Sequence, residues 1–236
     1  FPYTTLFDLH IDVRVGTFEL AGYQWHDVRG VLQATTAGWR VDVDGPGAAG
    51  QVLIPEQFRG SQVLRATLER LTLEKPESSG TGEAPDTRDP RNLPNLLVHV
   101  GELSLGSRSL GTFDLQATRV PQGIRFENAS IHGASAHAEG QGEWLVTPTG
   151  QQSSLKASVT SDDVAATLRA LGYNDVLEAK HGEVQGDLKW SGGFDSDMLD
   201  RAAGSISVKA ETGQILAVQP GAGYMEIGRA SCRERV

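Results

Sequence analysis

Cysteine is almost missing from this chain: the only one among its 236 residues is Cys232, near the C-terminus. That residue belongs to a tail that we set aside below, so the rest of the chain has none. Disulfides, thiolate catalysis and cysteine-based metal sites are then excluded together. The lack of cysteine also fits an oxidising compartment.

Long apolar runs and clustered positive charge are missing too. No stretch approaches the roughly 18 apolar residues of a membrane span, and no signal peptide is present. Lys and Arg number 21 against 30 Asp and Glu, a net charge of −9, so we predict no nucleic-acid partner. The chain opens on Phe1 in a strand-like pattern without an initiator Met, and we expect it to be a piece of a longer protein.

Recognisable site chemistry is the third absence. "GSRSLG" has neither the lysine nor the strand-to-helix context of a phosphate loop, and no serine lies in a Gly-x-Ser-x-Gly elbow. The odd separation of His132 and His137 predicts that they point to opposite faces of a strand and share no metal. Asp162 and Asp163 are better explained as helix-capping residues than as a catalytic pair. We therefore predict no enzyme, no metal and no cofactor.

The tail "EIGRASCRERV", residues 226–236, does not fit the body. It carries three arginines and two glutamates, a net of +1, so the remainder carries −10. It has no apolar period, and one reverse translation looks like a common short-read sequencing adapter. We predict that it is a non-native tail, and the alternative is a genuine basic tail with a reactive thiol.

Alternating apolar residues dominate what is present. "LHIDVRV", "WRVDVDG" and "LLVHVGELSLG" each place large apolar residues on one face, and glycine, proline and aspartate separate such runs. This pattern predicts antiparallel strands with one buried face. "RATLERLTL" also suits a helix, but Leu71 and Leu73 resume the alternation and favour a strand. The predicted fold is all-β, mainly antiparallel, with a curved repeating sheet.

Helices are few in this pattern. "SDDVAATLRALGY" predicts one helix near residues 162–171, with Ser161 as N-cap and Gly172 just past the end. "DSDMLDRA" predicts a second helical turn. Residues 74–92 lack large apolar side chains and are predicted to form a flexible loop, which either separates two sheet segments or closes a long hairpin.

An internal echo indicates a repeated unit of several strands. "LQAT" occurs at 32–35 and at 115–118, and each copy is followed by glycine, a large apolar residue, arginine and another apolar residue. We therefore divide the chain into a β-repeat segment at 1–73, the loop at 74–92, a second β-repeat segment at 93–160 and a C-terminal region at 161–223. The tail at 226–236 completes the division.

Residues 91–223 resemble the YhdP branch of the AsmA-like family. The repeat landmarks of that branch fall on Leu103, Leu105, Gly106, Leu110, Gly111, Leu115, Gly142 and Trp144. Landmarks of the AsmA-like C-terminal region fall on Leu171, Gly172, Tyr173, Gly182, Gly186, Leu188, Trp190, Gly213, Pro220 and Gly221. Residues 1–73 fit the same style more loosely.

The resemblance implies the periplasmic portion of a protein anchored in the inner membrane of a Gram-negative cell. Its apolar β-groove would shield phospholipid acyl chains on their way between inner and outer membranes, which it would reach through parts not present here. The groove candidates are Leu96, Val98, Val100, Leu103, Leu105, Phe113, Leu115, Ile124 and Phe126. The alternatives are ordinary core packing, an envelope scaffold without lipid transfer, and a glycan-binding β domain whose tryptophans gather on one exposed face.

Overall fold

The computed structural model describes residues 9–20, 22–57, 62–74, 89–170, 177–195 and 198–215. About 75% of it is strand, in a single curved and mainly antiparallel sheet. The strands are β1 His10–Leu20, β2 Tyr23–Thr35, β3 Gly38–Asp44, β4 Ala48–Pro55, β5 Val63–Leu73, β6 Asn95–Leu105, β7 Arg108–Val120, β8 Gly123–His132, β9 Ala136–Thr147, β10 Gly150–Ser161, β11 Leu177–Ser191 and β12 Ala203–Ile215. The helix α1 is Val164–Ala170, and two 3-10 turns cover Pro90–Asn92 and Met198–Arg201.

The sheet follows the chain, so each strand pairs with the next one in sequence. All of these neighbours are antiparallel except β5 and β6, which run parallel with Val63 beside Asn95 and Leu73 beside Leu105. A parallel pair needs a crossover, because the chain must return to the end of the sheet where β5 began. The hairpin alternative for residues 74–92 is therefore excluded, and the division of the chain into two β-repeat segments stays a prediction. Residues 75–88 lie outside the described ranges.

The "LQAT" echo corresponds to a repeated arrangement at one end of the strands. Gly38 opens β3 with a φ of +135°, and Gly123 opens β8 with a φ of +157°. A Cβ at Gly38 would overlap the carbonyl oxygen of Ile54, and one at Gly123 would overlap that of Trp144, each in the following strand. Both copies use glycine for the same close backbone approach.

Register places apolar side chains on one face of the sheet and polar ones on the other. Across the central strands Val98 lies beside Leu115, Leu115 beside Ala129, and the row continues through Gly140, Ala157 and Gly186 to Ile206. We call this side the apolar face. The opposite, polar face carries rows such as Asp187 and Ser205 on the last two strands.

Two ends of the sheet can be distinguished by their connections. At one end, which we call the α1 rim, β10 passes through α1 into β11. The other end, the opposite rim, carries the β7–β8, β9–β10 and β11–β12 connections. The helix contacts β11 and also reaches β7, so the sheet curves around it with the apolar face inside.

The predicted helix is present as α1, but its N-cap is different from the one predicted. The side chain of Asp163 accepts a hydrogen bond from the Ala166 amide at 2.8 Å, and its carbonyl accepts one from the Thr167 amide at 2.9 Å. Asp163 is therefore the capping residue, while the Ser161 hydroxyl accepts from the Asp163 amide just before the helix. Leu171 and Gly172 lie outside the described residues. The second predicted turn is the 3-10 turn Met198–Arg201.

Candidate functional site

All nine groove candidates project from the apolar face. Register links Val98 to Leu115 and Val100 to Phe113, and it carries this face on to Ile124 and Phe126 in β8. A bulge in β6 between Val100 and Leu103 keeps the later leucines on the same side. Alternation within the strands and this bulge together place these residues on one face. Their predicted role in binding lipid stays a prediction.

Three of these candidates are buried, five are half-buried and one is exposed. Val100 and Ile124 are 0% exposed and Leu103 is 5% exposed, whereas Leu105 at the end of β6 is 38% exposed. The apolar face is therefore closed at its centre. Near the last strands it is open, since Val208 is 66% exposed and Val184 and Ile206 are exposed as well.

Residues from two connections cover the centre from the opposite rim. Ala117, Ile124 and Trp144 form a buried cluster, and Leu93 and Phe194 pack against it from outside the sheet. The Phe194 ring meets that of Phe126 at 4.6 Å between centroids and that of Trp190 at 4.9 Å, both edge to face. We call residues 89–94 together with 191–195 the opposite-rim cover.

The 191–195 half of the cover is pinned to the sheet by polar contacts. The indole Nε1 of Trp190 donates to the Gly193 carbonyl at 2.8 Å, and the buried Ser153 hydroxyl donates to the Gly192 carbonyl at 2.6 Å. Arg201 donates to both carboxylate oxygens of Asp195, at 2.9 and 2.7 Å. Charge-assisted and buried hydrogen bonds of this kind hold a loop firmly.

The 89–94 half is held by a turn rather than continuing the predicted flexible loop. Asp89 caps the 3-10 turn and forms a forked ion pair with Arg91, while Pro90 is buried against the sheet. Hydrogen bonds from the Arg91 side chain, and then from its backbone, hold the pKa of Asp89 below its ordinary value. Because the pKa of Asp89 is lower in the folded protein than in the unfolded chain, its pairing with Arg91 stabilises the fold at pH values above the unfolded pKa. This stabilisation is lost as the pH falls through the folded pKa of Asp89.

Helix α1 lies over the apolar face from the α1 rim. A Cβ built on Gly182 would come within 2.6 Å of Cγ2 of Val164, so the glycine lets the helix rest directly on β11. The Thr167 hydroxyl lies 2.9 Å from that of Ser135 and 2.8 Å from that of Ser161. These three hydroxyls tie the helix to the ends of β9 and β10.

The polar face carries exposed side-chain pairs that join neighbouring strands and remain in contact with water. Arg125 donates to Glu143 at 2.7 Å, and His99 lies 2.8 Å from Asp114. A shallow depression on this face has a mainly polar lining that includes Glu139, Gln141, Lys156, Ser158, Gln185 and Asp187. It lies on the other side of the sheet from the groove candidates.

The prediction for His132 and His137 was wrong about their geometry. They lie on β8 and β9, joined by a tight connection, and pair directly across the two strands with ring centroids 4.2 Å apart. They therefore share one face. Within the described ranges, however, no group of three or more His, Cys, Asp or Glu side chains is arranged to hold a metal.

The tryptophans do not gather into an exposed platform. Trp39, Trp144 and Trp190 point to the apolar face from three different strands, and Trp25 is buried beside Gly47 and Phe18. Trp144 donates its Nε1 to Gln151 at 3.0 Å. The condition that would favour a glycan-binding surface is therefore not met.

The YhdP protein family model matches residues 2–226, nearly the whole chain. The chain belongs to the YhdP family. Comparison with curated proteins and with solved structures gives no match. The family resemblance seen in the sequence is thus confirmed, and the interpretation of residues 226–236 as a non-native tail stays a prediction.

Among the described residues, no helix has the length and apolar composition that a bilayer span requires. What the chain offers within those residues is a sheet with one apolar face, open near β12 and covered at the centre. The cover was not predicted from the sequence. Its signals were Pro90 and Phe194, an apolar pair outside the alternating runs. The signal for the position of α1 was Gly182, whose missing side chain admits the helix.

Proposed function

We propose that this chain shields phospholipid acyl chains on its apolar face, as a periplasmic segment of a protein that carries lipids between the inner and outer membranes. Membership of the YhdP family supports the proposal. The observation that carries it is the apolar row from Val98 to Ile206, which crosses β6 to β12 without a charged side chain. It ends in exposed Ile206, and Val208 on the same face of β12 is exposed as well. An ordinary β domain buries such a row under a second layer.

The energetics of lipid movement make such a face useful. Each methylene removed from water is worth about 0.8 kcal/mol, so an acyl chain crosses water alone only at great cost. A curved sheet covers the tails and leaves the headgroup wet. Because the polar face of the same sheet carries ion pairs such as Lys156 with Asp187, the other side stays in contact with solvent.

This function needs a continuous apolar surface and a means of entry rather than reacting groups. Shape and apolar area would set which molecules bind, because no bond is made or broken. The carboxylates and histidines of the described sheet have ordinary roles in such an account, as cross-strand partners on the solvent side.

The test is the lipid content of the purified protein in two matched variants. Val184 and Gln185 are neighbours on β11, both exposed, and their side chains point to opposite faces. Val184→Asp places a charge where a lipid tail would lie, whereas Gln185→Asp places it in solvent. We expect mass spectrometry to find phospholipid with the parent and Gln185→Asp, and much less with Val184→Asp at an unchanged melting temperature.

If the two variants carried equal amounts of phospholipid, the apolar face would not be the surface that binds the lipid tails. Absence of lipid from the parent protein itself would contradict the proposal as a whole. A second candidate function, an envelope scaffold, is favoured by the enclosed centre around Val100 and Ile124. In that case neither variant would change a lipid signal, because none would be present.

A further inference from the structure

The apolar face would be an interrupted path if the structure never changed. On β11 and β12 the row is open, but at β6 and β8 the side chains of Val100 and Ile124 are fully enclosed. An acyl chain moving across the strands would therefore meet a closed middle. Something must move if the proposed function requires passage through this section.

The opposite-rim cover is the less mobile of the two obstacles. Its 191–195 half is held by the buried Ser153 hydroxyl, by the Trp190 indole and by the Arg201–Asp195 fork. Phe194 also fills the space between Phe126 and Trp190. Lifting it would break a charge-assisted pair and expose three aromatic rings.

Helix α1 is held by neutral hydroxyl and carbonyl contacts, and an exposed His181–Asp162 pair lies just before it. A seven-residue helix is not stable by itself, so its position depends on what it touches. Hydroxyl contacts between Thr167, Ser135 and Ser161 tie it down, and water can replace such contacts. The Val164 side chain rests on Gly182, a contact that leaves no matching side chain to interlock with it.

We propose that α1 is a movable flap that covers the lipid path between β7 and β11 on the α1-rim side of the sheet and lifts to admit acyl chains. This rests on the proposed function and concerns its regulation. In the closed position the helix crosses from β11 to β7 over the concave face. When it lifts, the apolar side of the strands between becomes continuous with the open section at β12.

The geometry offers a direct way to lock the flap. A Cβ at position 182 would lie 3.9 Å from the Cβ of Val164, within the range that a disulfide spans. Val164→Cys also removes the Cγ2 methyl that a larger residue at 182 would meet. The pair is made in a Cys232→Ser background, so that the two new thiols are the only ones present.

The measurement is the loading of NBD-labelled phosphatidylethanolamine from vesicles of phosphatidylethanolamine and phosphatidylglycerol, followed by NBD fluorescence. We expect the oxidised V164C/G182C protein to load at least about tenfold more slowly than the same protein after reduction, because the crosslink abolishes the lifted state. A control pair, Gln185→Cys with Ser207→Cys, joins strand partners on the polar face. Its oxidation should leave loading unchanged.

A second variant moves the flap in the other direction. Gly182→Ala adds the Cβ that would lie 2.6 Å from Val164 Cγ2, so the helix must ride higher on β11. We expect this variant to load faster than the parent. Because it contains no disulfide, it tests the flap even if the cysteine pair fails to fold.

The possible results of these loading experiments distinguish a failure of the flap proposal from a failure of the proposed function. Slow loading only when oxidised, with faster loading in Gly182→Ala, is the expected result. Equal loading in oxidised and reduced protein, or no gain in Gly182→Ala, would overturn the flap and leave lipid binding intact. Loading absent from the parent protein would overturn the proposed function and, with it, the flap.

Discussion

At the scale of single residues, Leu103 and Leu105 show how position along one strand decides what a side chain does. They lie two residues apart on β6, and β5 places Leu71 and Leu73 beside them. Leu103 is 5% exposed, whereas Leu105 is 38% exposed. Alternation alone gives both the same role, although one is enclosed and the other is exposed at the end of the strand.

The first prediction uses this pair. Leu103→Asp buries an unpaired carboxylate and should lower the free energy of unfolding by about 3 kcal/mol or more, whereas Leu105→Asp should cost about 1 kcal/mol or less. Urea unfolding of the two variants measures both values. Equal losses would show that Leu103 is not part of an enclosed centre.

The faces of the strands could be predicted from the residues because side chains alternate along a strand. Alternation places Leu96, Val98 and Val100 on one side, whereas Leu103 and Leu105 join them only through the β6 bulge, which alternation does not predict. The degree of burial of the groove candidates could not be predicted, because Leu93 and Phe194 reach Ile124 from distant parts of the chain. His132 and His137 failed for a related reason, since a turn between them, rather than one continuous strand, sets their orientation.

At the scale of elements, the opposite-rim cover depends on one side chain more than on any other. Phe194 contacts Phe126 and Trp190 and packs on the buried cluster. Phe194→Ala should lower the free energy of unfolding by about 2–4 kcal/mol, since both ring contacts and the burial are lost. The control is Leu199→Ala in the neighbouring exposed turn, which should cost little.

Urea unfolding followed by tryptophan fluorescence checks this expectation, because Trp190 lies at the contact. A loss no larger than that of Leu199→Ala would mean that the cover does not depend on Phe194. It would also weaken the distinction drawn between a fixed cover and a movable α1.

Some features of the strands and helix could be predicted from the sequence, and others could not. Strands and the single helix follow from alternation and capping, and β5 was identified despite its helical spacing. The parallel pairing of β5 with β6 could not be predicted, because it depends on where the chain returns after residue 74. The predicted N-cap was Ser161, whereas the structure uses Asp163. Both side chains suit the role, and the strand β10 continues through Ser161.

At the scale of the whole molecule, the twelve described strands follow in chain order and make a sheet with one mainly apolar and one mainly polar face. Neither β1 nor β12 has a strand partner on its outer side among the described residues. The family match and this polarity together support the proposal that lipid tails travel along the apolar face and not along the polar one.

Site-specific photo-crosslinking on β12 measures that claim most directly. Val208 and Ser207 are consecutive, exposed residues whose side chains point to the apolar and polar faces, respectively. A photoreactive p-benzoylphenylalanine replaces one or the other in cells grown with radiolabelled phosphate, and the purified protein is examined for crosslinked phospholipid. We expect label at position 208 and none above background at 207. Equal labelling at both positions, or label at 207 alone, would contradict the account.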